Sequence, residues 1–209
     1  MKKLVVFVAA ALMLSTPAFA AIDGTSHDLA SEYASSGEIC VFCHTPHAAD
    51  TNAANAPLWN RNVTAGTTVN SFYDSTTLSA TAAAVTDIAG TDAPLCLSCH
   101  DSAAVVSLVN PPNGLAAPAS LGVVGSGGMT EIVGDGSGLA NDHPVGFDYA
   151  AARAQDSELK DIAGNTNVAL YGGAVWCSSC HDVHGKAGIP TFLLSSNVDS
   201  ALCLQCHDK

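Results

Sequence analysis

The chain has 209 residues and a formal net charge of −12 at pH 7, with 7 Lys and Arg residues against 19 Asp and Glu residues. This balance argues against a nucleic-acid partner, because proteins bind phosphate backbones through clusters of basic side chains. Only 12% of the residues are charged, which is about half the usual share. Such a surface repels itself weakly and would associate easily. The chain is therefore either a solvated acidic secreted protein or one built to pack against something apolar, namely a cofactor or further copies of itself.

Residues 1–20 have the pattern of a secretory signal peptide. Two lysines precede an apolar run, and small residues at Ala18 and Ala20 form an A-x-A cleavage site. The first cysteine, Cys40, lies too far downstream to carry the lipid of a lipoprotein, and no later segment is long and apolar enough to span a bilayer. We therefore predict a mature domain at 21–209 that is exported and released, without a lipid anchor or a membrane span.

The pattern C-x-x-C-H occurs four times in the predicted mature domain. Motif I is Cys40–His44, motif II is Cys96–His100, motif III is Cys177–His181 and motif IV is Cys203–His207. Eight cysteines in an exported protein usually indicate disulfide bonds, but here every pair has the same spacing and every second cysteine is followed by histidine. This pattern is the attachment site of a c-type haem, so the sequence predicts four covalently bound c-type haems, each with its iron.

The spacing suits haem attachment for a geometric reason. Two cysteines three positions apart lie on one side of a helical turn, where both thiols can add to the porphyrin vinyl groups, and the adjoining histidine comes under the iron. The predicted attachment residues are Cys40, Cys43, Cys96, Cys99, Cys177, Cys180, Cys203 and Cys206. The predicted proximal iron ligands are His44, His100, His181 and His207.

A structural zinc site is the main alternative to haem. Zinc pairs two ligand-bearing segments around one metal and has no need of a histidine directly after each second cysteine. Iron–sulfur clusters use other cysteine spacings and fit less well.

Four histidines remain outside the motifs: His27, His47, His143 and His184. Four haems need four ligands on their second faces, so bis-histidine ligation would use every histidine, whereas the predicted mature domain offers Met129 as its only methionine. We therefore predict these four histidines as distal iron ligands. Because methionine ligation raises the reduction potential of cytochromes c, its absence predicts low potentials, and we expect low-spin iron.

Two distal candidates follow a proximal histidine by only three residues. These are His47, after His44, and His184, after His181. A histidine so close to the proximal ligand cannot reach the far face of the same haem, so each would bind the iron of another haem and act as a staple between neighbouring haems. The alternative for each is a surface histidine.

The other two distal candidates are less constrained by their position. His143 precedes Pro144, which favours an extended backbone, and the alternative is a loop residue that forms local hydrogen bonds. His27 lies close to the predicted mature N-terminus, where chains are often disordered. Asp28 or a backbone carbonyl could orient its ring.

The segments between the motifs contain few long amphipathic elements. "TTVNSFY" predicts a short strand and "TLSATAAAVTDI" a weak helix, while residues 150–162 predict a modest exposed helix. Residues 110–138 are dense in Pro and Gly and predict a loop. With so few elements to bury, we expect the haems to form the core, the alternative being a small conventional core near residues 60–90. The apolar residues expected against porphyrin edges are Trp59, Phe72, Trp176 and Phe192.

The stretches "GEICVFCHTPH", "APLWNR", "DHPVGFDY", "CSSCHDVHG" and "SALCLQCHDK" together resemble the secreted multihaem c-type cytochromes of metal-reducing bacteria. With four haem motifs and this length, the chain is most similar to the outer-surface tetrahaem cytochromes that polymerise into extracellular nanowire filaments. The resemblance spans nearly the whole predicted mature domain. It implies a multihaem c-type cytochrome fold, mostly loop with a few short helices and minimal strand, organised around four stacked haems.

The same resemblance implies a homopolymer in which one haem is completed by a histidine from the adjacent subunit. His47 is the first candidate for that ligand, because it lies near the N-terminus and cannot serve the haem of its own motif, and His27 is the second. The implied location is the cell surface or the extracellular space, with the periplasm as the alternative. The implied partners, besides further copies, are other electron-transfer cytochromes.

Three functions follow from these features. The first is long-range electron conduction in a filament, without a substrate pocket. The second is a soluble periplasmic or extracellular tetrahaem shuttle that uses the same cofactors as a monomer. The third is a multihaem reductase, which requires an iron with an open position. Because four proximal and four distal histidines would saturate every iron, we expect an electron-transfer protein rather than an enzyme.

Overall fold

The computed structural model describes residues 22–32, 37–53, 58–61, 63, 73, 91–100, 142–185 and 188–208. Several sequence predictions fall outside these residues: the signal peptide, nearly all of the strand "TTVNSFY" with Phe72, the helix "TLSATAAAVTDI", the loop at 110–138, and most of the alternative core near 60–90. All eight cysteines and all eight histidines lie within the described residues.

The described residues are mostly coil, with short helices and very little strand. The α-helices are α1, Leu29–Glu32, α2, Ala93–His100, and α3, Tyr149–Arg153. Short 3₁₀ helices cover Ile39–Phe42, Cys177–Ser179, Pro190–Phe192, Val198–Ser200 and Cys203–Gln205. The prediction of a loop-rich chain with a few short helices is therefore confirmed for the part of the chain that the structure describes.

Two short strands form an antiparallel pair before motif III. Strand β1, Phe147–Asp148, pairs with β2, Ala174–Val175, so that Phe147 lies opposite Val175. The chain enters β2 through a two-residue turn, in which Gly172 and Gly173 both have positive φ. Because this turn requires a left-handed backbone at both positions, glycine suits it. The turn and the strands thereby hold the start of motif III in place.

Helix α3 is shorter than the sequence predicts. The Asp148 carboxylate accepts a hydrogen bond from the Ala151 N–H at the start of the helix, and the helix ends at Arg153. The predicted helix over 150–162 is therefore wrong beyond its first turn. The reason is tertiary: Leu159 forms a β-bridge with His207 of motif IV, which requires extended backbone in that segment.

A small protein core joins motif II to motif III. Ala93 and Leu97 of α2 pack with Ala174 of β2 and with Trp176, which is 1% exposed. Trp176 therefore lies in an apolar cluster of protein side chains, contrary to the expectation that it packs against a porphyrin edge. The indole has this partner because α2 presents two small or aliphatic residues one turn apart.

The α-helices of the described residues are four to eight residues long. None of the helices there has both the length and the apolar character needed to cross a bilayer.

Candidate haem-binding site

Motifs I, III and IV adopt the same backbone turn. In each, the N–H of the histidine donates a hydrogen bond to the carbonyl of the first cysteine, at 2.8 Å in motif I, 3.1 Å in motif III and 2.9 Å in motif IV. The N–H of the second cysteine donates to the same carbonyl. Motif II lies instead in the second half of α2. The predicted helical turn is therefore present in all four motifs, as a 3₁₀ turn in three of them.

A second segment pairs with each of these three turns, and we call it the strap. The straps are residues 58–60 for motif I, 192–194 for motif III and 158–160 for motif IV. In each case, the residue after the motif histidine donates to the carbonyl of the first strap residue, and the N–H of the third strap residue donates to the carbonyl of the second cysteine, at 2.7 to 2.8 Å. The middle strap residue forms a β-bridge with the motif histidine. Each strap thus fixes both the histidine and the second cysteine.

Three distal candidates lie beside a proximal histidine. The ring centres of His44 and His184 are 6.2 Å apart and nearly parallel, at 13°. Those of His143 and His207 are 6.3 Å apart and steeply inclined, at 74°. Those of His27 and His100 are 6.0 Å apart, at 49°.

These separations fit the haem iron. Since a bond between a metal and an imidazole nitrogen is about 2 Å long, two imidazoles on opposite faces of one metal have nitrogens about 4 Å apart and ring centres about 6 Å apart. Each pair joins a proximal candidate to a distal candidate from a different part of the chain. The residues present therefore fit a group that is ligated by histidine on both faces.

Hydrogen bonds at Nδ1 orient the rings of one proximal candidate, His181, and one distal candidate, His143. His181 Nδ1 lies 2.9 Å from the carbonyl oxygen of Thr191, and His143 Nδ1 lies 2.9 Å from that of Pro144. A carbonyl oxygen can only accept, so Nδ1 is the donor in both hydrogen bonds. This is the arrangement by which metal-ligating histidines are usually held.

Three imidazoles gather where motifs II and III meet. Burial lowers the pKa of His100 to about 4, with further contributions from His27 and His181. Burial also lowers the pKa of His27, with His181 as the second cause. Both rings are therefore neutral at pH 7, the form that can ligate a metal. Phe192 is the first residue of the motif III strap, and its ring stacks on that of His27. The ring centres are 4.5 Å apart and the planes are inclined by 15°.

Cysteines of consecutive motifs lie near one another. Burial raises the pKa of Cys43 to about 11, and the next cause is Cys99 of motif II. A hydrogen bond with Cys177 of motif III raises the pKa of Cys96. Burial raises the pKa of Cys180, and Cys206 of motif IV is the next cause. Each motif therefore has a cysteine near a cysteine of the next motif in the chain.

None of the eight cysteines forms a disulfide. Among the described residues, one group of three potential metal ligands comes together, formed by Asp92, Cys96 and Cys177. A structural zinc ion takes four ligands, most often from cysteine and histidine. The described residues, which include every cysteine and histidine, do not form such a set, so the geometry favours haem over zinc.

The fourth distal candidate, His47, lies three residues after the proximal histidine of motif I. Its side chain is exposed. The Thr45 hydroxyl donates a hydrogen bond to its backbone carbonyl at 3.0 Å, which holds the backbone after motif I in a tight local turn.

Sequence reasoning did not identify the straps or Asp92. A weak pattern precedes two of the straps, because Trp59 follows Pro57 by two residues and Phe192 follows Pro190 by two residues. The third strap, at 158–160, lies far before motif IV in the chain, and no such pattern precedes it. Trp59 also contacts His44 edge-on, with ring centres 5.7 Å apart.

Residues 170–209 match the family model described as "Doubled CXXCH motif", and this segment contains motifs III and IV. The match indicates a multihaem c-type cytochrome. It supports covalent c-type haem with iron as the cofactor and electron transfer as the function. No curated protein and no solved structure matches the chain.

Proposed function

We propose that the mature protein carries electrons through four covalently bound c-type haems, each ligated by two histidines. The observation that carries this proposal is the placing of three proximal and distal histidine pairs with ring centres 6.0 to 6.3 Å apart. When bound, a haem supplies an iron that accepts and releases one electron. Burial keeps the His27 and His100 rings neutral, and hydrogen bonds at Nδ1 orient the His143 and His181 rings.

The pairs also support a proposed assignment of the distal ligands. His184 serves the haem of motif I, His143 that of motif IV, and His27 that of motif II. His184 lies three residues after His181 of motif III, so this assignment makes it the staple between the haems of motifs III and I.

With the other three distal candidates assigned in this way, we assign His47 to the haem of motif III. Because its side chain is exposed beside motif I, we propose that it ligates that haem in an adjacent subunit, and that the chain forms a homopolymer. The alternative trans ligand, His27, is less well supported, since its ring lies beside His100 of the same chain. The contact between His27 and His100 within one subunit thus favours His47 as the trans ligand.

The order of the attachment sites supports conduction through the subunit. Motif I lies near motif II, motif II near motif III, and motif III near motif IV, as the neighbouring cysteines show. The two exposed cysteines are Cys40 of motif I and Cys203 of motif IV, the first and the last of the four motifs. We propose that electrons enter at one of these ends and leave at the other, in a secreted filament outside the cell.

Two histidine variants test the proposal in cells that export and mature the protein. His47→Ala should give small particles instead of filaments in electron microscopy, and should leave one iron high-spin. His184→Ala should also leave one iron high-spin but should still form filaments, and it is therefore the matched control. Intact mass should show four haems in the wild type and in both variants.

Other outcomes would point elsewhere. A His47→Ala monomer with four intact bis-histidine haems would disprove the trans ligand. Small particles alone in the wild type, confined to the periplasm, would favour a soluble shuttle. Carbon monoxide binding to the reduced native protein would show an open iron and favour a reductase.

A further inference from the structure

The attachment cysteines of motifs II and III meet at a carboxylate. Asp92 directly precedes helix α2, and its carboxylate oxygen lies with Cys96 Sγ and Cys177 Sγ in a group whose atoms are all within 4.8 Å of one another. Cys96 and Cys177 belong to different motifs, so their sulfurs would attach different haems. Asp92 is therefore placed at the junction between two attachment sites.

Hydrogen bonds from both motifs hold Asp92 in this position. Its backbone carbonyl accepts from the N–H of Leu95 and of Cys96 in α2. Its Oδ2 accepts from the N–H of Ser178 in motif III, at 2.8 Å. The carboxylate thus bridges the start of α2 to the turn of motif III, beside the core formed with Trp176.

The charge of this carboxylate is poorly compensated. Oδ1 is buried without a hydrogen-bond partner, and no salt bridge reaches Asp92 from the basic side chains of the described residues. A negative charge in partly buried surroundings acts more strongly on nearby groups than one in water. Net charge and burial are among the features by which a protein sets the reduction potential of bound iron.

We propose that Asp92 is a shared positioning residue that lowers the reduction potentials of the haems attached at motifs II and III and fixes the spacing of their attachment sites. This inference rests on the proposed function, because it requires haem on both motifs. The negative charge stabilises the oxidised iron, which carries one more positive charge than the reduced iron. The same side chain, through Ser178, ties the two attachment turns together.

Substitutions at Asp92 separate its charge from its hydrogen bond. Asp92→Asn keeps an oxygen that can accept from the Ser178 N–H but removes the charge. We expect it to raise the reduction potentials of two of the four haems. The expected rise corresponds to at least a tenfold change in the equilibrium constant for reduction, which is about 59 mV for one electron. Asp92→Glu keeps the charge and should leave these potentials close to those of the wild type.

A matched control is available at Asp148. Its carboxylate also accepts a backbone hydrogen bond at a helix start, from Ala151 at 2.8 Å, and it is exposed. Asp148→Asn removes the same charge and keeps a good helix-capping residue. The haems of motifs II and III should keep their potentials in this variant.

The measurement is a spectroelectrochemical titration of the purified holoprotein, after intact mass has counted its haems. Two raised potentials in Asp92→Asn, with none in Asp148→Asn, would support the inference. Unchanged potentials, an equal shift of all four, or a shift that also appears in Asp92→Glu would overturn it. Wild-type peptide masses that show no haem on motif II or III would instead overturn the proposed function and with it this inference, before any potential is measured.

Discussion

Motifs III and II hold the same five-residue pattern in different ways. Motif III is a 3₁₀ turn whose histidine and second cysteine are fixed by a strap at 192–194, whereas motif II completes helix α2 and is fixed by packing of Leu97 against Trp176. The first depends on backbone hydrogen bonds to a distant segment, and the second on buried apolar area. The comparison shows that the C-x-x-C-H pattern specifies a turn and leaves its support to the rest of the chain.

The largest expected effect comes from the support of motif II. Trp176→Ala should lower the free energy of unfolding by about 3 to 5 kcal/mol, because it leaves a cavity against Ala93 and Leu97. Guanidinium unfolding followed by circular dichroism would measure the loss. Trp59→Ala is the control, since Trp59 is only partly buried and should cost less. An equal loss in both variants would contradict a special role for the core between motifs II and III.

A smaller effect is expected from the strap of motif III. Leu194→Pro removes the N–H that donates to the Cys180 carbonyl at 2.8 Å, and an unsatisfied carbonyl costs about 1 to 3 kcal/mol. Leu194→Ala keeps the N–H and is the control for the lost side chain. The same unfolding experiment would measure both variants. If they were equally stable, the strap hydrogen bond would have no measurable role.

Tyr149 clamps the strap of motif IV. Its hydroxyl donates to the Lys160 carbonyl at 2.9 Å, and the Cys206 carbonyl lies 3.4 Å away. Burial, the largest cause, raises its pKa from the ordinary value of 10.0 to about 12. Tyr149→Phe should therefore cost about 1 kcal/mol at pH 7.

The same substitution should change the response to alkaline pH. Above the unfolded pKa, the unfolded chain binds fewer protons than the folded chain, so the stability from Tyr149 falls as pH rises from about 10 towards about 12. Unfolding midpoints measured across this range should fall less steeply in Tyr149→Phe than in the wild type. Parallel curves would show that the hydroxyl stays accessible to solvent.

The smallest effect is expected at the surface. Arg153 and Asp161 are 3.3 Å apart, with side chains 44% and 63% exposed. An exposed ion pair contributes about 0 to 1 kcal/mol, so Asp161→Asn should lower the unfolding free energy by no more than about 0.5 kcal/mol. A double-mutant cycle with Arg153→Ala would measure the coupling, and a loss comparable with that of Leu194→Pro would contradict this ranking.

The haem-attachment motifs and the loop-rich character of the chain could be predicted from the amino-acid sequence. Both are local properties: the spacing of two cysteines and a histidine specifies a single turn, and frequent Pro and Gly with few amphipathic runs predict little regular structure. The family match over motifs III and IV agrees with this reading.

The pairing of the histidines could not be predicted from the sequence, because it depends on the tertiary structure. His184 lies beside His44, and His143 beside His207, although each pair is far apart in the chain. No local pattern encodes such contacts, because they depend on how the straps and the core between motifs II and III place each turn. Helix α3 ends at Arg153 for a tertiary reason as well, because the strap at 158–160 requires extended backbone. The tertiary structure also places Asp92 beside the sulfurs of two motifs.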